Sequence, residues 1–555
     1  MINRFIKFIK NNAVFSLCIV VSVLLVYFVK LSAYTVGFDT ELFMGDADYR
    51  WFNWKDIGRF GLIFLKTVFS PDGLNIRMAD GLAVFFLIPG TLMWSFFILE
   101  YCALFNRDSK NGSENFLILF PGALFFLTSG VWQEQIYYQL QSAEVMFIVF
   151  LCPVTVMLLA DGIKEESRLK TVIASLLLTF MLSVYQAVIM MLVAAVLIFL
   201  YSEEKREGKI PFKHIIRAGV SVIGALVLYF ILSRVFKDLI FHAEDTGFLS
   251  GQIRLDEGRA NPLFKLAGYI YMLFFANTGF LSSLVDPLIA SHAATGADAV
   301  DYYHSAFSDI ASVLYIPAVL LFLIRETGEY LRKIREGRKK TEALTALTVS
   351  FLIPLSVLAF PVIGAGDIKV RVQFVLPLVA MFLFMYCIDF SRNLNSGSPK
   401  NHAGLVLAVV IPLTILYSAL MQGSRVSMLF MSDLKVFEND KTVASDLNTG
   451  IRNEMLKENL PEDTPVYILG IYEPSFDGAM THGEYIGRSA FSRNKWMPEG
   501  TTLHAIALMR VLGYGYVPCR SLSDEDRDAA GEMPAYPADG YVKYINGKII
   551  VKIAE

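Results

Sequence analysis

The sequence predicts an all-α polytopic membrane bundle of about eleven crossings, closed by a small C-terminal α/β domain outside the membrane. Three observations predict it. The 555 residues are 55% hydrophobic and 18% charged, against about 25% charged in ordinary soluble domains, and mean hydropathy is +0.49. Charge-free runs long enough to cross a bilayer recur throughout the first part of the chain. After Met421 the composition turns polar and mixed in charge, with no further spanning run. The expected division is a membrane domain over 1–424, with an outer loop over 34–80, and an extracytoplasmic domain over 425–555.

The first residues carry Arg4, Lys7 and Lys10 ahead of an apolar run from Ala13. No A-x-A-like cleavage site follows, so an uncleaved span is expected rather than a signal peptide. Further runs begin near Gly81, Asn115, Val145, Thr171, Ala218, Ile310, Ala343, Val372 and Ala403. Lys and Arg cluster before Ala13, from Lys205 to Arg217, and from Arg325 to Lys340. The positive-inside tendency places these three segments in the cytoplasm. Thr171 to Ser202 is charge-free between two basic flanks, so it reads as a hairpin turning outside near Ser183-Val184-Tyr185-Gln186. Leu266 to Val285 reads as a re-entrant or interfacial hairpin broken at Ala276-Asn277-Thr278-Gly279. In the outer domain, Ser432 to Glu458 reads as a helix with Asp433 as its cap. Pro465 to Gly470 reads as a buried strand, and Tyr541 to Ile553 as a hairpin turning at Asn546-Gly547.

Several function classes are excluded. A net charge of −3 gives no footprint for nucleic acid. The five cysteines and seven histidines are scattered, without disulfide or metal-ligand spacing. No P-loop, dinucleotide fingerprint, nucleophile elbow or metalloprotease helix occurs. The carboxylates cluster in outer loops and not mid-span, where ion-coupled transporters hold them.

Five outer places carry unusual chemistry. Gly37 to Gly61 holds Asp39, Glu41, Asp46, Asp48 and Asp56 among Phe38, Phe43, Tyr49, Trp51, Phe52 and Trp54. A merely solvated loop calls for Ser, Lys and Gly instead; aromatics of this number suit an interface or a sugar face. Trp132 to Glu144 places Glu134 and Tyr138 four apart, on one helical face. Tyr185-Gln186 sets two hydrogen-bonding groups inside an apolar hairpin. Ordinary bundle packing is an equal reading for these two. Gly364 to Gln373 carries Lys369 and Arg371 at the outer end of a span, where cations hold a lipid phosphate or snorkel to headgroups. His242 to Arg259 is charged without a motif and reads as a solvated loop.

These residues resemble the bacterial membrane glucosyltransferases of the serotype-converting O-antigen type, within the GT-C class of polytopic glycosyltransferases. The resemblance rests on Asp39 in GFDTE after the first span, then Asn53-Trp54 and Gly58-Arg59-Phe60-Gly61, then Glu134 with Tyr138, then Ser183-Val184-Tyr185-Gln186. It covers the first 200 residues in order. Many members carry paired acids just after the first span; Asp39-Thr40-Glu41 stands in their place here. The resemblance implies a GT-C-like fold, a polyprenyl-phosphate glucose donor, and a cell-envelope polysaccharide or glycolipid acceptor outside the cytoplasmic membrane. On that expectation Asp39 or Glu41 is the general base, with Asp46 and Asp48 as further candidates. Trp54, Arg59, Glu134, Tyr138, Tyr185, Gln186, Lys369 and Arg371 then bind substrate. Asp46-Ala47-Asp48 has the spacing of a metal-binding DxD, but a lipid-phosphate donor does not demand a divalent metal, and metal stays unassigned. The rival is a non-catalytic flippase or assembly protein for lipid-linked sugars.

Overall fold

The structure, a computed structural model, describes residues 1–45, 52–71, 73–101, 112–242, 309–359, 369–396, 402–476, 482–493 and 500–554. Asp46, Asp48, Leu266 to Val285, and all but the first residue of His242 to Arg259 lie outside them. The chain is mostly helical. Among the described residues seven helices are long and apolar enough to cross a bilayer, or eight if Ile2–Asn11 and Ala13–Val26, bent by 87°, count as one span.

Helix ends fall where local chemistry places them. Gly208, at φ 76°, ends Val188–Glu207 in the left-handed conformation that suits glycine. Tyr185 is extended and separates Arg168–Val184 from Val188–Glu207, so the charge-free stretch is a hairpin broken at its polar pair. Phe212–Val235 exposes Val220, Ile223, Val227, Phe230 and Ile231, an apolar face suited to lipid.

The two ends of the bundle differ. At one end Arg4 pairs with Asp161 at 3.0 Å, Lys164 with Glu203 at 2.7 Å, and Lys205 with Glu326 at 2.8 Å. Lys333 joins the same group through Glu204 and through Glu329 at 2.9 Å. The three basic segments of the sequence therefore meet. At the other end of the same helices lie Lys30 and Asp80, 3.3 Å apart and buried. Gln139 Nε2 donates to Asp80 and to the Thr35 carbonyl at 2.9 Å each, which fixes the loop leaving the first span.

His402–Glu458 is one unbroken helix of 57 residues, about 85 Å long. Asp433 is thus not a cap, and the expected boundary at 424/425 falls inside a helix. The physical reason is a continuous apolar stripe: Val426, Leu429, Phe430, Val436, Phe437, Val443, Ala444, Leu447 and Ile451 are buried at helical spacing, so nothing ends the helix where the membrane does. Asp433 Oδ1 instead accepts the Gly487 N–H at 3.2 Å.

Beyond it, four strands order as β2-β1-β4-β3: β1 Pro465–Leu469, β2 Val517–Pro518, β3 Val542–Ile545 and β4 Lys548–Lys552. β1 is parallel to β2 and β4, and β3 is antiparallel to β4. Asn546 and Gly547, at φ 45° and 85°, make the expected turn between β3 and β4. The two cores interlock: Tyr485 and Ile486 join the bundle core, while Val36 and Ile76 join the core under the sheet.

The Gly500–Val511 helix packs against the Thr40–Gly45 helix so closely that a Cβ at Gly45 meets the Ala507 carbonyl oxygen at 2.9 Å. Gly45→Ala is expected to destabilise by about 1–3 kcal/mol, read as a lower unfolding midpoint in detergent; an unchanged midpoint contradicts this packing.

Candidate active site

The site is built where the loop after the first span meets the end of the bundle that carries Lys30 and Asp80. Gly37 sets its shape: its N–H donates to Gln139 Oε1 at 2.8 Å, and a Cβ there collides with the Tyr137 carbonyl. Only glycine allows that approach. Asp39 follows at φ 60°, a left-handed conformation uncommon for a residue with a side chain. The turn sends Asp39 and Glu41 into different surroundings.

Glu41 is fully buried. Its Oε1 accepts Arg493 Nη1 at 2.6 Å and lies 2.7 Å from His504 Nδ1. Arg493 also donates Nη2 to Tyr137 Oη at 2.8 Å and to the Val36 carbonyl at 3.3 Å. Burial pushes the Glu41 carboxyl up, but Arg493 and His504 outweigh it and hold it below the ordinary glutamate range. Asp39 keeps 32% of its side chain exposed, and its Oδ1 stands 4.0 Å from His504 Nε2. Desolvation raises its pKa, with the charge of Glu41 adding to the rise; His504, Arg371 and Arg493 oppose it without cancelling it. One acid is held as an anion and the other keeps part of its side chain exposed.

Arg371 lies close enough to Asp39 for its charge to act on the carboxylate. Arg371 Nη1 donates to Tyr138 Oη at 2.7 Å, and its guanidinium lies 3.9 Å from the Tyr138 ring centroid. Lys369 and Arg371 stand 3.6 and 3.7 Å from Glu484 Oε1, whose Oε2 accepts the Val370 N–H at 2.7 Å. Both cations stay partly open, at 30% and 19%. Arg59 is held by Gln141 Oε1 at 2.9 Å and Gln186 Oε1 at 3.3 Å, over the Tyr185 ring at 4.5 Å. It is close enough to Arg371 for the two charges to repel. Such a cluster of cations, two of them partly exposed, suits an anion with several oxygens.

The structure therefore gathers Asp39, Arg59, Tyr138, Tyr185, Gln186, Lys369 and Arg371. It gives Glu134 a different place: Glu134 is buried, and its Oε1 accepts the Glu484 N–H at 2.8 Å, anchoring the segment that carries Tyr485. Trp54 is also buried, 5.4 Å from the Phe43 ring, and packs the loop. Among the described residues no group of three or more His, Cys, Asp or Glu side chains is placed to hold a metal ion. Two clefts, of about 390 and 460 Å³, lie elsewhere on the outer part of the chain.

Four site residues were not apparent from the sequence: Glu484, Tyr485, Arg493 and His504. Asp440 positions their segment, accepting Ser489 Oγ at 2.6 Å and the Ala490 N–H at 2.8 Å. Thr502 ties the Gly500–Val511 helix to β1, accepting from Ile468 N at 3.1 Å and donating to its carbonyl at 3.0 Å. Two positions on, about 200° around the helix, His504 points the other way, to Glu41. The available signal was faint: one His in a largely apolar helix pattern, GTTLHAIALM, and none for the other three.

Arg493→Met strands a buried carboxylate and is expected to cost about 3–5 kcal/mol, measured by thermal unfolding in detergent. Because Glu41 titrates below its ordinary value, this stabilisation is present above the ordinary glutamate range. It is lost as pH falls through the lowered pKa, so the gap between wild type and variant narrows in acid.

Comparison with curated proteins finds no match. The model of the family described as glucosyl transferase GtrII matches residues 39–388, well over half of the chain and including Asp39, Arg59, Tyr138, Tyr185, Gln186, Lys369 and Arg371. The chain is a membrane protein that belongs to the GtrII glucosyl transferase family.

Proposed function

We propose that the protein moves glucose from a polyprenyl-phosphate carrier to a hydroxyl of a cell-envelope polysaccharide or glycolipid, on the outer side of the cytoplasmic membrane. The observation that carries this reading is a partly exposed carboxylate, Asp39, near Arg371, with Arg59 close to Arg371 and Lys369 sharing its partner Glu484. A transfer from a phosphate-linked sugar needs that pair of features. A base must remove the acceptor proton, and cations must meet the charge that grows on the departing phosphate.

Asp39 takes the base role because Glu41 is already committed to Arg493. The acceptor oxygen bonds the anomeric carbon as the carbon–oxygen bond to phosphate breaks. Arg371 and Lys369 receive the lipid phosphate, displacing Glu484 as their partner. Tyr138, Tyr185 and Gln186 shape the sugar pocket, and a lipid-phosphate donor needs no metal for this step. We place the basic end of the bundle in the cytoplasm, with about eleven crossings and residues 425–555 outside.

The test is transfer from a lipid-phosphate-glucose donor by the purified protein. Asp39→Asn is expected to lower turnover roughly 10²–10⁴-fold; wild-type turnover in that variant refutes the base. Arg371→Ala is expected to weaken donor use far more than acceptor use, and equal effects count against the phosphate site. Activity requires Asp39 unprotonated, so turnover falls as pH drops through its raised pKa, at a higher pH than an ordinary aspartate gives. A profile flat down to the ordinary aspartate range contradicts the assignment.

A further inference from the structure

The geometry points to Glu484 as an internal counter-anion of the phosphate site, a positioning residue that holds Arg371 and Lys369 between turnovers and draws them back from the spent lipid phosphate. The inference rests on the reading of these two cations as the phosphate site. It assigns a part in the reaction cycle to the C-terminal region, since Glu484 lies outside the stretch 39–388 that the family model matches.

The Glu484 side chain is 1% exposed and is fixed from two directions. Its Oε2 accepts the Val370 N–H at 2.7 Å, and its own backbone N–H donates to Glu134 Oε1 at 2.8 Å. Val370 stands between Lys369 and Arg371 in the chain, so the first bond ties the carboxylate to the segment that carries both cations. The other oxygen, Oε1, makes no hydrogen bond with a described residue. It stands 3.6 Å from Lys369 Nζ and 3.7 Å from Arg371 Nη1, too far for a hydrogen bond but near enough for attraction. Carboxylates that serve structure alone close on their cations here: Glu41 meets Arg493 at 2.6 Å, and Asp526 meets Lys548 at 2.7 Å. Glu484 draws on both cations and bonds neither. A buried carboxylate oxygen left in that state is costly, and a place between two exchangeable cations accounts for it. The next residue, Tyr485, offers its ring to the same pair, with Lys369 Nζ 5.5 Å and the Arg371 guanidinium 5.6 Å from the centroid.

An internal anion matters because the lipid phosphate changes charge during transfer. The donor is a phosphodiester with a single negative charge. The acceptor oxygen bonds the anomeric carbon while the carbon–oxygen bond to phosphate breaks, and the electron pair of that bond stays on phosphate. The acceptor proton leaves through Asp39 to water. The product is a phosphate monoester, which carries about 1.5–2 negative charges at neutral pH. Cations alone hold that product more tightly than the donor and retain it. A fixed carboxylate behind them repels each phosphate in proportion to its charge, so it weakens the hold on product more than the hold on donor. Glu484 regains Arg371 and Lys369 as the product leaves.

The test uses the full chain in detergent, with polyprenyl phosphate and polyprenyl-phosphate glucose as the two probes. Glu484→Gln keeps an acceptor for the Val370 N–H and removes the charge. It is expected to tighten polyprenyl phosphate binding at least ~10-fold and donor binding by a smaller factor. Steady-state kcat then falls under product inhibition, while the single-turnover rate of glucose transfer rises because nothing opposes the charge growing on phosphate. A merely structural role lowers both rates together, and that result overturns the inference. Wild-type product affinity, or equal tightening of both probes, overturns it as well. Should Glu484→Gln not fold, Glu484→Asp decides, since it draws the same charge back by one methylene. The ratio of product to donor affinity is expected to rise in that variant, and an unmoved ratio overturns the inference. Wild-type protein that binds neither probe removes the phosphate-site reading first.

Discussion

A buried ion pair 2.6 Å long, between Glu41 and Arg493, joins the loop after the first span to the far end of the chain. The alternatives available to Glu41 are poor. A carboxylate with no exposed surface cannot stay ionised without a partner, and a neutral acid there abandons two hydrogen bonds. The pair therefore fixes the geometry of everything near it: Arg493 also holds the Val36 carbonyl and the Tyr137 hydroxyl, and Glu41 sets the face of His504. Among the described acids of this loop, Asp39 is left partly open and its neighbour is closed.

The same logic explains how the C-terminal region is tied to the bundle. Glu134 holds the Glu484 amide, Asp433 the Gly487 amide, and Asp440 the Ser489–Ala490 turn. Carboxylates from the bundle and from the long helix satisfy the backbone of a segment with little regular structure of its own. Buried amides need such acceptors, so the segment from Glu484 to Arg493 takes its shape from the surface it covers. Site and scaffold are in this sense one hydrogen-bonded body.

How much of this was legible in the sequence depends on the range of the interaction. Apolar runs, basic clusters and the Tyr185-Gln186 break are local patterns. Together with the family resemblance, such patterns group Asp39, Arg59, Tyr138, Gln186 and Arg371 without a structure, and the bundle packs them at one of its ends. The choice between Asp39 and Glu41 was not local, since it rests on a residue 452 positions away. Glu134 and Trp54 look like ligand-binding residues by type, yet Glu134 holds the Glu484 amide and Trp54 packs on Phe43. Asp433 has the composition of a helix start, but the apolar stripe on either side of it carries the helix through.

That uninterrupted rod, His402–Glu458, has a further consequence. It mounts the outer region with a set rotational phase as well as a set height. One residue more or fewer between the lipid-facing part and Asp433 turns everything above by about 100° and lifts or lowers it by about 1.5 Å. Asp433 and Asp440 then aim away from the turns they grip. Length variation in this stretch is thus restricted to steps near whole turns, about seven residues for the nearest match, while surface loops of the same protein can drift one residue at a time.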